Sequence, residues 1–581
     1  MGKKTKVKSK AKIKRKQKAV QKSKNIAKKQ KAIVKKAVIL KGSPQKPSYS
    51  VVLGQINTLV GDVHENARKI IAVIEKAKEQ GAQLVIFPEL TLTGCPPKDL
   101  LLRSDFVDVN MQRFIEVVNA CKGISCVFGF VNKANKSLYN AVAFVKDQKI
   151  LGIQNKTHLV SADGFDEKRY FSEGNSPDVV MAGNLRLGIV ISYSADQELT
   201  VQGLVQKGVD LLVVAAASPY SLEKTTELEI TGLAKKYQTP IVYCNSVGAQ
   251  DNLIFEGGSF AVDRNGLVIG RARKFTEELL LVDVNKPGSS FTPSKDQASE
   301  LYAALTVGLR DYFMKSGHTK AVVGMSGGLD SAVTATLAVH ALGKENVTGL
   351  FLPSKMTSKE SITDARKMCG NLGITWKSIN IDPIVLPTTR TVGMHYDKKN
   401  ISLTEQNIQS RVRSQIIMSF ANNTNALVLA TTNKTDIATG YFTLYGECTG
   451  ALAPLADLWK TQVVLLAQFL NALAKQKQKS NVIPDSILKK QPTAELRPGQ
   501  KDSDDLPSYD ILDKLLSLYI VHKKDIHEIV KLGFDAEMTR RIAFMIMRNE
   551  FKRQQIPLPL RVSTCSFGPS WRYPIVSGWR G

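Results

Sequence analysis

The chain has 581 residues, enough for two or more domains with their own cores, and 80 Lys or Arg against 52 Asp or Glu give it a formal net charge of +28. No apolar run approaches the length of a membrane span, which excludes a protein with transmembrane helices. The seven cysteines are scattered through apolar contexts, which excludes a disulfide framework and predicts a reducing compartment, the cytoplasm.

The charge is concentrated at the start of the chain, in residues 1–47. This segment holds 19 Lys or Arg and no acidic residue, which leaves +9 for the rest of the chain. Mutual repulsion predicts a disordered basic tail, and the segment lacks the hydrophobic core of a secretion signal. A solvated arm, a nuclear-type address and a contact with a polyanion all remain open.

Two α/β regions follow the tail. Apolar strands alternate with amphipathic helices over 48–285, and a second alternating run covers 299–581, beginning with a predicted helix over 299–315. The stretch "NKPGSSFTPSKD" between them is rich in Pro, Gly and Ser and predicts a linker over 286–298. The sequence therefore predicts two α/β domains, each a doubly wound sheet or a sandwich.

In the first region, the apolar run "LGIVI" over 187–191 ends abruptly at Ser192, Tyr193 and Ser194. A short β-branched run of this kind is typical of a buried parallel strand. Open α/β sheets carry ligands and chemistry at the carboxyl ends of such strands. Ser192 is therefore a candidate nucleophile, or it occupies the position of a former one.

In the second region, the stretch "AVVGMSGGLDSAV" over 321–333 predicts a strand, a glycine-rich turn and a helix. Glycines let the backbone curl around a ligand, and the helix start offers free N–H groups to an anion. An aspartate beside an anion implies a cation, here Mg²⁺. The candidate phosphate-binding residues are Ser326, Gly327, Gly328, Asp330 and Ser331.

This loop resembles the pyrophosphatase loop of enzymes that split ATP into AMP and pyrophosphate. The loop alone leaves GMP synthetases, asparagine synthetases, tRNA-modifying adenylating enzymes and NAD synthetases open. The downstream stretches "EQNIQSRVRSQIIMSFAN" and "AELRPGQKDSDDLPSYD" resemble NAD synthetase, and the resemblance covers essentially all of 299–560. It implies a doubly wound, parallel-sheet ATP-pyrophosphatase domain for the second region.

The resemblance implies that ATP and nicotinic acid adenine dinucleotide are the substrates. The carboxylate of the dinucleotide would attack the α-phosphorus of ATP, and ammonia would then displace AMP from the adenylate. The resemblance gives Thr431 a contact with ATP, and it gives Asp330 and Asp436 the Mg²⁺. The residues that it assigns to the dinucleotide are Asn407, Arg411, Tyr441, Glu447 and Lys460.

This sequence departs from the family pattern at two of those positions. Asp436 stands where the family usually has Glu, and Glu447 stands where it usually has Asp. Both positions keep their charge, but the reach of each side chain changes by one methylene. The resemblance therefore still implies a working synthetase centre.

The first region resembles a nitrilase-type amidase, the glutaminase domain often fused ahead of NAD synthetase. The resemblance covers roughly 49–285 and implies an α/β/β/α sandwich. It gives Glu89, in "LVIFPEL", the role of general base and Lys156, in "NKTHLV", that of catalytic lysine. The family's nucleophilic Cys is Ser192 here, and a family Tyr is Cys95, which predicts a degenerate amidase triad.

Three functions remain open at the level of the sequence. The first is an NAD synthetase driven by ammonia from solution or a partner, and it is the main expectation. The second is a fully glutamine-dependent enzyme that uses Ser192. The third is a non-catalytic two-domain scaffold whose basic tail binds polyanions. The resemblance also implies a homo-oligomer.

Overall fold

The computed structural model describes residues 48–161, 165–192, 197–290, 296–394, 401–477, 480–497, 499–568 and 570–579. The predicted tail over 1–47 and part of the predicted linker, residues 291–295, lie outside the described residues. Within the described ranges, no helix is both long enough and apolar enough to cross a membrane.

The strands of the first half form two six-stranded sheets and a separate hairpin. Their bounds are β1 Ser50–Gln55, β2 Leu84–Ile86, β3 Ser125–Ala134, β4 Ser137–Lys146, β5 Lys149–Asn155, β6 Val179–Ala182, β7 Leu185–Ile191, β8 Leu211–Ala216, β9 Ile241–Asn245, β10 Val247–Gln250, β11 Leu253–Glu256, β12 Phe260–Val262, β13 Val268–Arg271 and β14 Glu278–Asp283. One sheet has the order β14-β1-β2-β3-β4-β5 and the other β13-β12-β9-β8-β7-β6, while β10 and β11 pair as the hairpin.

Helices cover the outer face of each sheet. The helices of this half are Val63–Glu79, Ser104–Ala120, Glu167–Tyr170, Glu198–Gln206 and Thr226–Tyr237. Helix Val63–Glu79 starts where the Asp62 side chain accepts the backbone N–H of Glu65, and its apolar face enters the core beneath the first sheet. The two sheets face each other, since the Sγ atom of Cys244 on β9 lies 3.2 Å from the carbonyl oxygen of Ile86 on β2. This is the predicted α/β/β/α sandwich.

The second half contains a six-stranded sheet in which every pairing is parallel. Its strands are β15 Ala321–Gly324, β16 Val347–Phe351, β17 Thr375–Ser378, β18 Leu427–Leu429, β19 Leu452–Ala453 and β20 Leu558–Pro559. The order β17-β16-β15-β18-β19-β20 reverses direction at β15. Ligands bind where strand order reverses in such sheets, so the loop after β15 occupies the expected position for a nucleotide site.

Helices lie on both faces of this sheet, as in a doubly wound fold. They are Gln297–Lys315, Leu329–Leu342, Lys359–Leu372, Asp382–Thr391, Leu403–Thr424, Lys434–Thr439, Lys460–Gln476, Asp485–Lys489, Tyr509–Leu516, Ile526–Lys531, Ala536–Arg548 and Glu550–Arg553. Along β15, Ala321 and Val323 enter the core on one face, and Val322 enters the core on the other. The predicted ATP-pyrophosphatase architecture is therefore confirmed.

Helix Gln297–Lys315 joins the two halves and packs against the β10–β11 hairpin of the first half. Asp311 on this helix is fully buried and accepts hydrogen bonds from Asn57 (2.7 Å) and from the backbone of Ala249 (2.8 Å). The Lys315 Nζ atom donates to the Asn57 side chain at 2.7 Å and to the Ala249 carbonyl at 2.7 Å. The first and second halves thus share a polar contact in which Asp311 and Lys315 are both hydrogen-bonded to the first half.

Candidate functional site

The glycine-rich turn lies between β15 and helix Leu329–Leu342, as the sequence predicts. Serine hydroxyls hold its shape: the Gly328 N–H donates to Ser326 Oγ at 3.1 Å, and Ser331 Oγ donates to the Gly328 carbonyl at 2.9 Å. The Ser326 and Ser331 hydroxyls lie 3.1 Å apart. The turn therefore presents two hydroxyls and the N-terminus of a helix, which together suit a phosphate group.

Gly327 occupies a backbone conformation that only glycine adopts easily. Its φ angle is +78°, and an added Cβ would lie 2.5 Å from the carbonyl oxygen of Ser361. The helix that contains Ser361 therefore packs directly against the turn. Any larger residue at this position would displace one of the two.

Two carboxylates meet beside the turn. Asp330 comes from the helix after β15, and Asp436 comes from the short helix Lys434–Thr439. The Asn433 side chain bridges them, with its Nδ2 atom 2.7 Å from Asp436 Oδ2 and 3.5 Å from Asp330 Oδ2. The Lys460 Nζ atom donates to Asp330 Oδ2 at 2.7 Å.

The charges of this cluster are closely coupled. Burial and the neighbouring Asp330 raise the pKa of Asp436 well above its ordinary value, and Lys460 opposes that shift. Burial alone would lower the pKa of Lys460, but Asp330 and Asp436 raise it, so Lys460 is a cation. The single ammonium of Lys460 faces the two carboxylates of Asp330 and Asp436. A further cation beside these carboxylates would favour their ionised forms.

The chemistry of this pair fits a magnesium ion. Asp330 Oδ1 is buried and makes no hydrogen bond to the described part of the chain. No group of three or more His, Cys, Asp or Glu among the described residues is arranged to hold a metal. Mg²⁺ commonly uses one or two carboxylates and takes its remaining ligands from water and substrate phosphates. The pair therefore resembles a site completed by a nucleotide.

The turn and the carboxylates border a cavity of about 680 Å³. Nine of the residues predicted for this half line it: Ser326, Gly328, Asp330, Ser331, Thr431, Asp436, Tyr441, Glu447 and Lys460. This volume is in the range of cavities that accept nucleotide-sized ligands. Gly327 belongs to the turn but is not part of the lining, and Asn407 and Arg411 also lie outside the lining.

Asn407 and Arg411 contact the loop over 443–447, whose last two residues line the cavity. Asn407 Oδ1 accepts the Thr443 hydroxyl at 2.8 Å, and Arg411 Nε donates to the Leu444 carbonyl at 3.1 Å. Glu447 accepts the Thr443 N–H at 2.8 Å. As their four-residue spacing predicts, Asn407 and Arg411 share one helix face, and that face orders the loop that ends at Glu447.

Sequence reasoning gave no role to a polar cluster on the opposite wall. Ser361 Oγ donates to Glu495 Oε1 at 2.7 Å, and Lys490 Nζ lies 3.1 Å from the same oxygen. Arg413 also lines the cavity, and burial lowers the pKa of its guanidinium. Glu495 lies in the stretch "AELRPGQKD", which the sequence analysis used only for the family resemblance. The stretch alone does not indicate that Glu495 lines the cavity.

In the first half, Glu89 and Lys156 come together as predicted. Both side chains are buried, with exposures of 3% and 4%, and Lys156 Nζ lies 2.7 Å from Glu89 Oε1. Glu89 also accepts the Asn140 amide at 2.6 Å and the Ala217 N–H at 3.1 Å. These three partners fix the position of the Glu89 carboxylate, which follows β2 in the chain.

Glu167 is a third member of this centre that sequence reasoning missed. Its carboxylate lies 2.9 Å from Lys156 Nζ and accepts Asn140 at 2.8 Å. Burial would lower the pKa of Lys156, but the neighbouring Glu89 and Glu167 raise it above its ordinary value. The pKa of Glu167 is raised by burial and by Glu89, and Lys156 opposes that shift. Lys156 is therefore an ammonium between two carboxylates. Glu167 belongs to the stretch "DEKRYF" over 166–171 and lies eleven residues beyond Lys156 in the sequence.

Ser192 follows β7 directly, in the strand-end position that the sequence predicts. Its φ angle is +55°, unusual for a residue other than glycine, and its N–H donates to the Ala215 carbonyl at 2.7 Å. Strained turns of this kind expose a side chain at the end of a strand. Tyr193 and Ser194, which follow it in the sequence, lie outside the described residues.

Cys95 is buried near the same centre. Burial, Glu89 and Glu167 raise the pKa of its thiol well above the ordinary value, and Lys156 opposes them. The thiol is therefore protonated at neutral pH, which is the unreactive form. Lys156 does not outweigh burial and the two carboxylates, so these surroundings disfavour a thiolate at Cys95.

Comparison with known proteins gives two family matches. The family described as NAD synthase matches residues 301–556, and the family described as Carbon-nitrogen hydrolase matches residues 50–291. Each match covers the half of the chain in which the corresponding centre lies.

Relatives match over nearly their whole length. A glutamine-dependent NAD(+) synthetase from Thermotoga maritima is 36% identical, over 91% of this chain and 99% of the relative. A protein of the same name from Acinetobacter baylyi is 37% identical, over 92% and 99%. A solved glutamine-dependent NAD+ synthetase from Acinetobacter baumannii, in complex with ADP, has a TM-score of 0.73 and 35% identity over 92% of this chain and 99% of that one.

Proposed function

This chain belongs to the family of glutamine-dependent NAD(+) synthetases, and we propose that it converts nicotinic acid adenine dinucleotide to NAD with ATP and glutamine as co-substrates. One observation carries the synthetase part of this proposal. The turn at 326–331 lies at the reversal point of a parallel sheet and opens into a cavity that also holds Asp330, Asp436 and Lys460. Phosphate-binding groups, a candidate cation site and a cavity of about 680 Å³ meet there.

The residues of the turn would bind and orient the ATP phosphates. The free N–H groups at the start of helix Leu329–Leu342 and the hydroxyls of Ser326 and Ser331 would take the phosphate oxygens. Lys460 would offset negative charge that collects on pyrophosphate as it leaves. Thr431 lines the same cavity and would contact ATP from the end of β18.

We assign the Mg²⁺ to Asp330 and Asp436, because Asp330 Oδ1 is buried without a partner in the described chain. A bound Mg²⁺ neutralises phosphate charge and makes pyrophosphate a better leaving group. Asp436 is shorter than a glutamate by one methylene. The Asn433 Nδ2 atom donates a hydrogen bond to Asp436 Oδ2 at 2.7 Å. The short side chain is thus fixed in place by its neighbour.

Tyr441 and Glu447 would contact the dinucleotide, since both line the cavity beyond the carboxylates. Asn407 and Arg411 would act on that substrate through the loop they order. The dinucleotide carboxylate would attack the α-phosphorus of ATP, which forms the mixed anhydride and releases pyrophosphate. Ammonia would then attack the activated carbonyl carbon and release AMP.

Glutamine is the proposed source of the ammonia. The relatives carry the name glutamine-dependent, and the buried Glu89–Lys156–Glu167 centre is intact in this chain. Ser192 Oγ would attack the glutamine carboxamide carbon while Glu89 takes its proton and returns it to the departing ammonia. Water would then release glutamate from the ester. Lys156 would stabilise the charge that develops on the carbonyl oxygen.

The Ser192 hydroxyl itself favours a second candidate, the use of free ammonia. A thiol has a pKa of about 8.5 and ionises readily beside a lysine, whereas a serine hydroxyl does not. Loss of a covalent nucleophile commonly costs on the order of 10⁴–10⁶ in rate. In this second case the first half would keep its fold without hydrolysing glutamine.

The experiment supplies ATP, Mg²⁺ and nicotinic acid adenine dinucleotide with either ammonium or glutamine, and measures NAD. We expect NAD with both donors, and we expect Asp330→Ala to abolish it with both, because a ligand facing pyrophosphate is removed. Asp485→Ala, at an exposed aspartate outside the cavity, is the matched control and should retain activity. NAD formation by Asp330→Ala at the wild-type rate would refute the assignment of the synthetase centre.

A further inference from the structure

A short segment near the end of the chain, residues 561–565, lies between the two halves. The first half holds one side of it. The Arg561 N–H donates to the Asn252 carbonyl at 2.9 Å, and the Leu222 N–H donates to the Val562 carbonyl at 2.9 Å. The Thr564 N–H donates to the Glu223 carboxylate at 3.2 Å.

A buried ion pair of the second half holds the other side of this segment. Lys434 Nζ and Asp457 Oδ1 lie 2.8 Å apart, and both side chains have 0% exposure. Asp457 accepts the Val562 and Ser563 N–H groups at 2.7 and 2.8 Å, and it accepts the Ser563 hydroxyl at 2.8 Å. Lys434 donates to that hydroxyl at 2.7 Å and to the Cys565 carbonyl at 2.7 Å.

Each hydrogen-bonding group of this ion pair therefore has a partner supplied by the segment. A buried ion pair is stable only when its remaining donors and acceptors are satisfied. Neutral partners that are held in place make such a network rigid, and removing one of them leaves a buried charge short of a hydrogen bond. The position of Lys434 thus depends on the position of residues 562–565.

Lys434 is also the first residue of the helix that carries Asp436. Its N–H donates to the Leu458 carbonyl at 2.9 Å, and the preceding Asn433 caps the helix and bridges the two carboxylates. A shift of Lys434 would therefore move Asn433 and Asp436 together. The contacts run without a break from Glu223 in the first half to Asp436 in the synthetase centre.

We propose that the first half has a second role, which is to position the carboxylates of the synthetase centre through residues 561–565. Glu223, Ser563, Asp457 and Lys434 are positioning residues in this arrangement, and they touch no reacting atom. The inference rests on the proposed function for the identity of that centre. It applies with either nitrogen donor, so the first half is required even for ammonia-driven synthesis.

Hydrogen–deuterium exchange tests the inference independently of catalysis. Ser563→Ala removes the hydroxyl between Lys434 and Asp457, and Glu223→Ala removes the contact from the first half. We expect several-fold faster exchange over 433–440 in both variants, with unchanged exchange in helix Leu329–Leu342. Ser563→Thr and Glu223→Gln keep an acceptor and should restore slow exchange. Glu173→Ala, at an exposed glutamate paired with Lys168, is the matched control and should match wild type.

The same variants then give a functional readout with ammonium as nitrogen donor. We expect Ser563→Ala to raise the Mg²⁺ concentration for half-maximal NAD synthesis several-fold and to leave the KM for ammonium unchanged. Unchanged exchange over 433–440, faster exchange throughout the second half, or an unchanged Mg²⁺ requirement in an active variant would each overturn the inference. Failure of wild type to make NAD would refute the proposed function instead, and the exchange result would still decide the positioning role.

Discussion

Ser192 stands at the position where the family resemblance predicts the amidase nucleophile, with oxygen in place of the family's sulfur. The two other predicted members of the triad, Glu89 and Lys156, lie 2.7 Å apart in a buried centre. A serine hydroxyl does not ionise as easily as a thiol beside a cation. We therefore expect the side chain at position 192 to determine whether glutamine or free ammonia supplies the nitrogen.

Substitution of Ser192 separates the two nitrogen donors. If Ser192 is the nucleophile, Ser192→Ala should reduce glutamate release from glutamine by on the order of 10³-fold or more. Ser192→Cys should increase it, because a thiol ionises more readily beside Lys156. Glutamate release is the measurement, and ammonium-driven NAD synthesis, which should be unchanged, is the control. Absence of glutamate release from wild type would instead favour the ammonia-driven enzyme.

The glycine-rich turn and the family resemblance together predicted which residues would line much of the candidate site. Asp330 and Asp436 follow different strands of one parallel sheet, so their convergence follows from the fold. Glu167 could not be placed in the same way, because it begins the short helix Glu167–Tyr170, and local sequence does not determine that this helix packs against Lys156. The contact of Arg411 could not be predicted either, because its partner is the carbonyl of Leu444, in a loop that is distant in sequence.

At the scale of the elements, the phosphate-binding turn depends on its contact with helix Lys359–Leu372, which contains Ser361. Gly327→Ala places a methyl group against the Ser361 carbonyl at a φ of +78°. The turn must then shift, and a displacement of about 1 Å can cost on the order of 10²-fold in rate. We expect a loss of ATP-dependent NAD synthesis of this order, with ammonium as donor.

Gly370→Ala is the control for this prediction, because an added Cβ at Gly370 meets nothing within 4 Å. Circular dichroism of both variants should show an intact fold. Wild-type activity in folded Gly327→Ala would show that the turn tolerates a side chain and would contradict the described packing. The sequence predicts a glycine here from the turn alone, but the contact with Ser361 appears only in the folded chain.

The junction between the halves contains a buried carboxylate whose stabilising effect depends on pH. Glu256 on β11 lies 2.7 Å from Lys224 and 3.0 Å from Lys274, which also contacts Glu300 on helix Gln297–Lys315. Burial alone would raise the pKa of Glu256, but the two lysines lower it below its ordinary value of 4.5. A lowered carboxyl pKa stabilises the fold above pH 4.5, and that stabilisation is lost as the pH falls through the lower folded value.

Glu256→Gln should therefore destabilise the protein by about 1–3 kcal/mol at pH 7, because the largely buried Lys224 loses its partner charge and Lys274 keeps only Glu300. The difference from wild type should narrow as the pH falls below 4.5. Thermal melts at several pH values measure it. Glu75→Gln removes an exposed partner of Lys78 and should have little effect at any pH. A Glu256→Gln difference that stays constant with pH would contradict the role given to the carboxylate.

At the scale of the whole molecule, hydrophobic alternation was sufficient to predict two α/β layered architectures. It was not sufficient to predict strand order, which depends on pairings between residues far apart in sequence. Nor did it predict that the β10–β11 hairpin would pack on helix Gln297–Lys315, since both elements carry ordinary apolar faces. Long-range contacts of this kind are decided by the complementarity of whole surfaces.

The basic tail is the last feature of the whole chain with a testable consequence. The residues that line the synthetase cavity all lie between 324 and 510, and the amidase centre lies between 89 and 217. Deletion of residues 2–45 should therefore leave turnover with ammonium unchanged. The tail contributes most of the net positive charge, so its removal should lower the salt concentration needed for elution from a heparin column.

A tail of equal length with every Lys and Arg replaced by Gln is the matched control, because it separates charge from chain length. It should elute with the deletion variant if retention is electrostatic, since screening acts on charge and not on the volume of the arm. Elution with wild type would show that the body of the protein, with its remaining charge of +9, binds the polyanion. A large loss of turnover in both variants would mean that the tail charge acts on one of the two centres.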